Sequence, residues 1–256
     1  MDFKLSDKVA IVAGGSRGCG LACAAQLANE GASVVLTGRQ QPIVDAAVAK
    51  IEGVGGKVLG LATEMVSEAN VRHIVDRCRE TFGDPDVLVV NPPTPSLTSG
   101  LEAIPESEYV LAYEYYVLSL VRFLKEVIPS MQARRWGRIV ALGTVGMKSP
   151  HLQDPQYHQN IRVAAASVMK TMAYEYGRYN ITGNTIATGS FASDLANDYI
   201  AAHGLSADAF SKSHPMGRVG RPEEMAAVVA FLCSDGASFI SGETIRVDGA
   251  ATRNLF

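Results

Sequence analysis

Patterns that hold metals or build disulfides are missing from this sequence. Its four cysteines, Cys19, Cys23, Cys78 and Cys233, include no Cys-x-x-Cys pair, and its five histidines show no His-Glu-x-x-His spacing. A zinc site and a disulfide framework are therefore not expected, and the cysteines are read as reduced packing residues. An excess of charge of one sign is also missing: 23 Lys and Arg stand against 26 Asp and Glu, a formal net charge of -3. Without a basic footprint, nucleic acid is excluded as the expected partner, and small molecules take its place. No apolar run reaches membrane-spanning length, and the polar stretch from Met1 to Val9 leads straight into a strand. No membrane partner and no signal peptide are expected, which makes a cytoplasmic location the expectation. Repeats, low-complexity tracts and linkers are absent too, so residues 1–256 are expected to form a single domain.

What is present is a regular alternation of short apolar runs with longer helical patterns. Strands are expected at Val9 to Val12, Ser33 to Thr37, Lys57 to Leu61, Val87 to Asn91, Arg138 to Leu142, Thr182 to Ile186 and Thr244 to Val247. Helical spacing of apolar residues runs over Cys19 to Asn29, Pro42 to Glu52, Ser67 to Phe82, Ser107 to Ala133, Tyr157 to Tyr179 and Pro222 to Cys233. Alternation of this kind predicts βαβ units. The expected fold is α/β: a single-domain, doubly wound Rossmann fold with a seven-stranded parallel sheet and helices on both faces. Residues 189–216 are the least regular stretch and follow the sixth strand, where open α/β sheets place ligand-covering loops.

Directly after the first strand comes Ala13-Gly14-Gly15-Ser16-Arg17-Gly18-Cys19-Gly20, followed at once by a helix. Gly14 suits the positive φ of a tight turn, Gly18 lets the backbone approach a pyrophosphate, and Gly20 lets the helix pack closely. The helix N-terminus then offers unpaired N–H groups to an anion. The second strand ends Leu36-Thr37-Gly38-Arg39, with no acid before Asp45. A carboxylate there would bond a ribose 2′-hydroxyl, whereas Arg39, assisted by Arg17, suits a 2′-phosphate. NADP(H) is therefore the expected cofactor in preference to NAD(H).

The glycine spacing, Gly14, Gly18 and Gly20, resembles the G-x-x-x-G-x-G loop of the short-chain dehydrogenase/reductase family. The likeness extends through Gly137-Arg138-Ile139-Val140, Asn184, the run Pro215 to Glu224, Phe231-Leu232 and Ser241-Gly242 through Val247-Asp248-Gly249. The C-terminal part is similar to 3-oxoacyl-(acyl carrier protein) reductases in particular. The resemblance implies cofactor contacts from Gly14, Ser16, Arg17, Gly18, Gly20, Arg39, Glu64 at the adenine, Asn91 on the floor and Gly189. It also implies a homotetramer or homodimer and a small-molecule carbonyl substrate, free or carrier-bound. Relatives carry Asn-Asn-Ala-Gly where this chain has Asn91-Pro92-Pro93-Thr94, so two backbone donors are lost.

The family's reaction uses a serine, and a tyrosine and lysine four residues apart on one helical face. Here Thr144 takes the serine position. Counting back from Asn184 puts Arg162 at the lysine and His158 at the tyrosine, while counting forward from Thr144 reaches Tyr157. The extra residue is assigned to the loop from Ser149 to Gln156. Tyr116 takes the place of a family asparagine, and Tyr113, Tyr115 and Tyr116 are otherwise expected to pack in a subunit interface.

Three readings stay open. His158, with an unperturbed pKa of about 6.5, substitutes as proton donor; Tyr157 serves from one position earlier; or the general acid is gone. The leading function is an NADP(H)-dependent oxidoreductase that reduces a carbonyl or similar polarised double bond with a non-standard proton donor. The alternatives are a weakly active or inactive cofactor-binding regulator or scaffold, and a non-redox lyase or isomerase.

Overall fold

Strand β1 (Val9–Ala13) shows how this sequence makes a sheet covered on both sides. Successive side chains of a strand point to opposite faces. Ala10 and Val12 join one core, and Val9, Ile11 and Ala13 join the other. The other strands are β2 (Ser33–Gly38), β3 (Lys57–Ala62), β4 (Val87–Val90), β5 (Gly137–Leu142), β6 (Ile181–Thr188) and β7 (Thr244–Val247). They form one seven-stranded sheet in the order β3-β2-β1-β4-β5-β6-β7, and every pairing is parallel. The computed structural model describes residues 3–150 and 157–255, without the side chain of His158.

The crossovers are α1 (Gly18–Asn29), α2 (Gln41–Glu52), α3 (Glu68–Thr81), α4 (Glu106–Tyr113), α5 (Ser119–Arg134), α6 (Arg162–Tyr176), α7 (Asp194–Ala202), α8 (Ala207–Lys212) and α9 (Pro222–Leu232). α1, α2 and α9 bury Leu27, Ile51 and Val229 on one face of the sheet. α3, α5 and α6 bury Ile74, Phe123 and Met169 on the other. Pro222 opens α9, where a missing N–H costs nothing, and the Glu224 carboxylate caps the first turn by accepting from the Arg221 N–H at 2.7 Å.

Three stretches depart from the expected outline. The long helix expected over 107–133 is interrupted: Glu114–Leu118 is π-helical and separates α4 from α5. The helix expected from Tyr157 begins as a 3-10 turn, Tyr157–Ile161, and becomes α-helical only at Arg162. Residues 189–216, expected to be irregular, hold α7 and α8. Both begin at a serine whose hydroxyl accepts from the chain three residues on: Ser193 from Ala196 N and Ser206 from Ala209 N. Serine followed by an acid in the first turn was a readable start signal at both places.

Candidate active site

The sheet order reverses between β1 and β4, and the loops that follow these strands meet there. Asn91 Nδ2 donates to the Gly14 carbonyl at 3.0 Å, and the Gly14 N–H donates to Thr37 Oγ1 at 3.0 Å. Gly14 has φ +79, and a Cβ on it would sit 2.1 Å from the Asn91 carbonyl oxygen. A Cβ on Gly20 would come to 2.0 Å from the Gly14 carbonyl oxygen. Both glycines are thus required by close approach of backbone to backbone. Gly18, at φ +50, opens α1. Ser16 lies over Gly38 at the end of β2, 2.2 Å from where a Cβ would be. Thr37 is a buried anchor of this loop that the sequence pattern did not mark.

Above the loops lies a cleft of about 1290 Å³. Gly14, Ser16, Arg17, Gly18, Arg39, Glu64, Asn91, Thr144, Tyr157, Arg162 and Gly189 all line it, whereas Gly20 is buried behind the loop. Arg39 is exposed and makes no ion pair among the described residues. Arg17 donates to Gln40 Oε1 at 3.2 Å and lies 3.9 Å from Asp194 on α7, joining the glycine loop to the covering helices. Pro92 and Pro93 face the same space. Gly189 lets the C-terminal segment pass, since its Cβ would lie 2.6 Å from the Asp248 Cα.

At the other half of the cleft, Thr144 Oγ1 accepts from the Gly146 N–H at 3.3 Å and caps the 3-10 turn Val145–Met147. Among the described residues its own O–H has no acceptor. Tyr157 is 36% exposed and lines the cleft. His158 shares its 3-10 turn, and its side chain lies outside the described residues. A 3-10 turn advances about 120° per residue against about 100° in an α-helix. Positions 158 and 162, expected on one face of a helix, therefore diverge. Residues 151–156, where the extra residue was expected, lie outside the described residues; the described irregularity is the 3-10 turn.

Arg162 is almost wholly buried. Its Nη1 donates to the Leu142 carbonyl at 3.1 Å, its Nε donates to Gln159 Oε1 at 3.0 Å, and its guanidinium carbon lies 4.0 Å from the Tyr116 ring centroid. The Tyr116 hydroxyl donates to the same Gln159 oxygen at 3.5 Å. Tyr116, only 2% exposed, belongs to the interior, which corrects its expected place in a subunit interface. Tyr115 lines the cleft, and Tyr113 alone of the three is exposed. Gln159 carried no sequence signal, yet it joins Tyr116 and Arg162. Asn184 ties strands together: its Nδ2 donates to the Ile240 carbonyl at 2.8 Å and its Oδ1 accepts from Glu243 N at 3.1 Å.

The family model described as enoyl-(acyl carrier protein) reductase matches residues 13–252. Dehydrogenase/reductase SDR family member 4 of Bos taurus is 31% identical over 98% of this chain and 89% of its own. The 3-oxoacyl-[acyl-carrier-protein] reductase of Pseudomonas aeruginosa is 30% identical over 96% of this chain and 98% of its own. Among solved structures, L-sorbose reductase from Gluconobacter frateurii, complexed with NADPH and L-sorbose, superposes with a TM-score of 0.91 at 29% identity, covering 100% of both chains. A 7 alpha-hydroxysteroid dehydrogenase complexed with NADH superposes with a TM-score of 0.90 at 26% identity, covering 100% of this chain and 98% of that one. This chain belongs to the short-chain dehydrogenase/reductase family of oxidoreductases.

Proposed function

We propose that this protein is an NADP(H)-dependent reductase of a carbonyl or similar polarised double bond, with Tyr157 as proton donor. The observation that carries the reading is a single cleft holding the glycine loop and Arg39 in one half and Thr144 with Tyr157 in the other. The backbone at Gly14, Ser16, Arg17 and Gly18, closed from behind by Gly20, fits a pyrophosphate at the start of α1. Arg39 and Arg17 offer cations to a 2′-phosphate, Glu64 and Asn91 flank the adenosine half, and Gly189 borders the nicotinamide half. The NADPH-bound sorbose reductase supports this choice, and the NADH-bound hydroxysteroid dehydrogenase shows that the fold alone does not decide it.

The cofactor, when bound, supplies hydride to the electrophilic carbon. Thr144 holds the substrate oxygen through its O–H, and Tyr157 releases its proton to that oxygen as negative charge develops there. Arg162 is already bonded to Leu142 and Gln159, and a guanidinium has no acceptor atom through which to relay a proton. Tyr157 is therefore reprotonated from solvent at its open side. Residues 189–216, through α7 and α8, cover the substrate. Exposed Val110, Tyr113, Val163 and Tyr174 on α4 and α6 support assembly as a homodimer or homotetramer.

NADPH oxidation over a panel of ketones, thioesters and imines tests the reading. Turnover is expected, and Tyr157→Phe lowers kcat by about 10² to 10⁴ with NADPH affinity unchanged. No turnover above background in protein that binds NADPH would sink the reductase. Full activity in Tyr157→Phe with loss in His158→Ala would move the donor to His158. A second reading, a cofactor-binding regulator with little activity, draws on the saturation of Arg162 by internal partners. It requires a partner protein captured in only one redox state of the cofactor.

A further inference from the structure

The C-terminal segment after β7 is tied down on both sides of Arg253. Asp248 accepts from Ala250 N at 3.0 Å, Thr252 N at 3.0 Å and Thr252 Oγ1 at 2.7 Å. Arg246 donates to the Asn254 carbonyl, to Asn254 Oδ1 at 3.3 Å and to the Leu255 carbonyl at 3.0 Å. Asn254 Nδ2 in turn donates to the Lys148 carbonyl at 3.4 Å, four residues beyond Thr144. Arg253 lies between these anchored neighbours. It is exposed, lines the cleft, and has no hydrogen-bonding or ion-pairing partner among the described residues.

Arg253 adjoins Asn254, whose side chain is anchored on the β5 side of the cleft. The anchor at Lys148 follows β5 and Arg39 follows β2; these strands are three positions apart, about 14 Å at the usual spacing. Of the arginines lining the cleft, Arg162 is buried and bonded internally, Arg17 and Arg39 follow β1 and β2, and Arg253 adjoins Asn254, whose side chain bonds Lys148 after β5. The acids on the cover, Asp194 and Asp198, form no ion pair with Arg253, and Asp194 faces Arg17 instead. A guanidinium held by its backbone, lining a cleft and unpaired among the described residues, is suited to bind an anionic oxygen group.

We infer that Arg253 is a specificity residue that selects carbonyl substrates carrying an anionic group, a carboxylate or a phosphate. The inference rests on the reductase reading for the site but not on its rate. Binding decides it. The probes are matched pairs: acetoacetate against methyl acetoacetate, and dihydroxyacetone phosphate against dihydroxyacetone. Each is titrated calorimetrically into the full chain preloaded with NADP+, with parallel turnover in NADPH.

The wild-type protein is expected to bind the charged member of at least one pair tenfold or more tightly than the neutral one, and the better pair identifies the anion. Arg253→Gln removes that preference, Arg253→Lys restores part of it, and NADPH affinity changes by less than twofold in both. Equal binding of charged and neutral probes, or no binding of either, would overturn the inference. So would a tenfold loss of NADPH affinity in Arg253→Gln, which would assign the residue to the cofactor. Selective binding of the anion without turnover would leave the anion site standing and remove the reductase reading.

Discussion

Arg162, which counting back from Asn184 sets against the family's lysine, has neighbours built for a planar fork. One edge meets the Leu142 carbonyl and Gln159, and one face meets the Tyr116 ring. A lysine has a compact ammonium that stacks poorly and cannot span both acceptors. Arg162→Lys is therefore expected to destabilise the fold by about 1–3 kcal/mol, the cost of leaving a buried acceptor unmet. The urea unfolding midpoint measures this, and a variant as stable as the parent would show that the fork contributes nothing. The same contacts explain why this residue's role was hard to read. Its identity and position were legible, but its partners came from a tyrosine 46 places earlier and a glutamine that no motif marks.

Among the elements, α1 depends on one missing methyl group. The Gly20 Cα faces the Gly14 carbonyl so closely that a Cβ would stand 2.0 Å away, against backbone that cannot rotate aside. Gly20→Ala must push the start of α1 off the loop and separate the N–H groups proposed to hold the pyrophosphate. NADPH binding followed by fluorescence is expected to weaken tenfold or more while far-ultraviolet dichroism stays the same; unchanged binding would detach the helix from the site. Elements of this kind were largely legible. β1 to β7 fall within about two residues of the apolar runs, because a parallel sheet buried on both faces demands such runs. The π-helical stretch Glu114–Leu118 and the 3-10 turn Tyr157–Ile161 were not legible. Each changes the winding by about a residue, which an apolar period of 3.6 tolerates without visible change. Tyr116 lies in the first of these stretches and Arg162 directly follows the second, and the two side chains stack where the stretches meet.

At the scale of the whole molecule, the thiols make stability depend on alkaline pH. Burial pushes Cys233 up to about 12, with Arg138 opposing, and pushes Cys78 up to about 12, with Arg79 opposing. Burial and then the charge of Glu223 raise Cys19 to about 11, and burial raises Cys23 as well. A raised folded-state pKa means that the native protein keeps protons which the unfolded chain sheds. The stabilising contribution is thus complete below the unfolded value of about 9 and is lost as pH climbs toward 12. At pH 10, fully buried Cys78 and Cys233 together should lower unfolding free energy by about 2–3 kcal/mol relative to pH 8, since one pKa unit corresponds to about 1.4 kcal/mol. Urea midpoints at the two pH values check this, with Cys233→Ala as control: it is less stable at pH 8 for want of packing, but it loses less between pH 8 and pH 10. A parallel fall in parent and variant would place the alkaline sensitivity elsewhere, in lysine or tyrosine titration. Native-state alkylation supplies an independent reading, because a protonated thiol inside the core does not react: at pH 8 iodoacetamide is expected to leave Cys23, Cys78 and Cys233 unmodified until the chain unfolds.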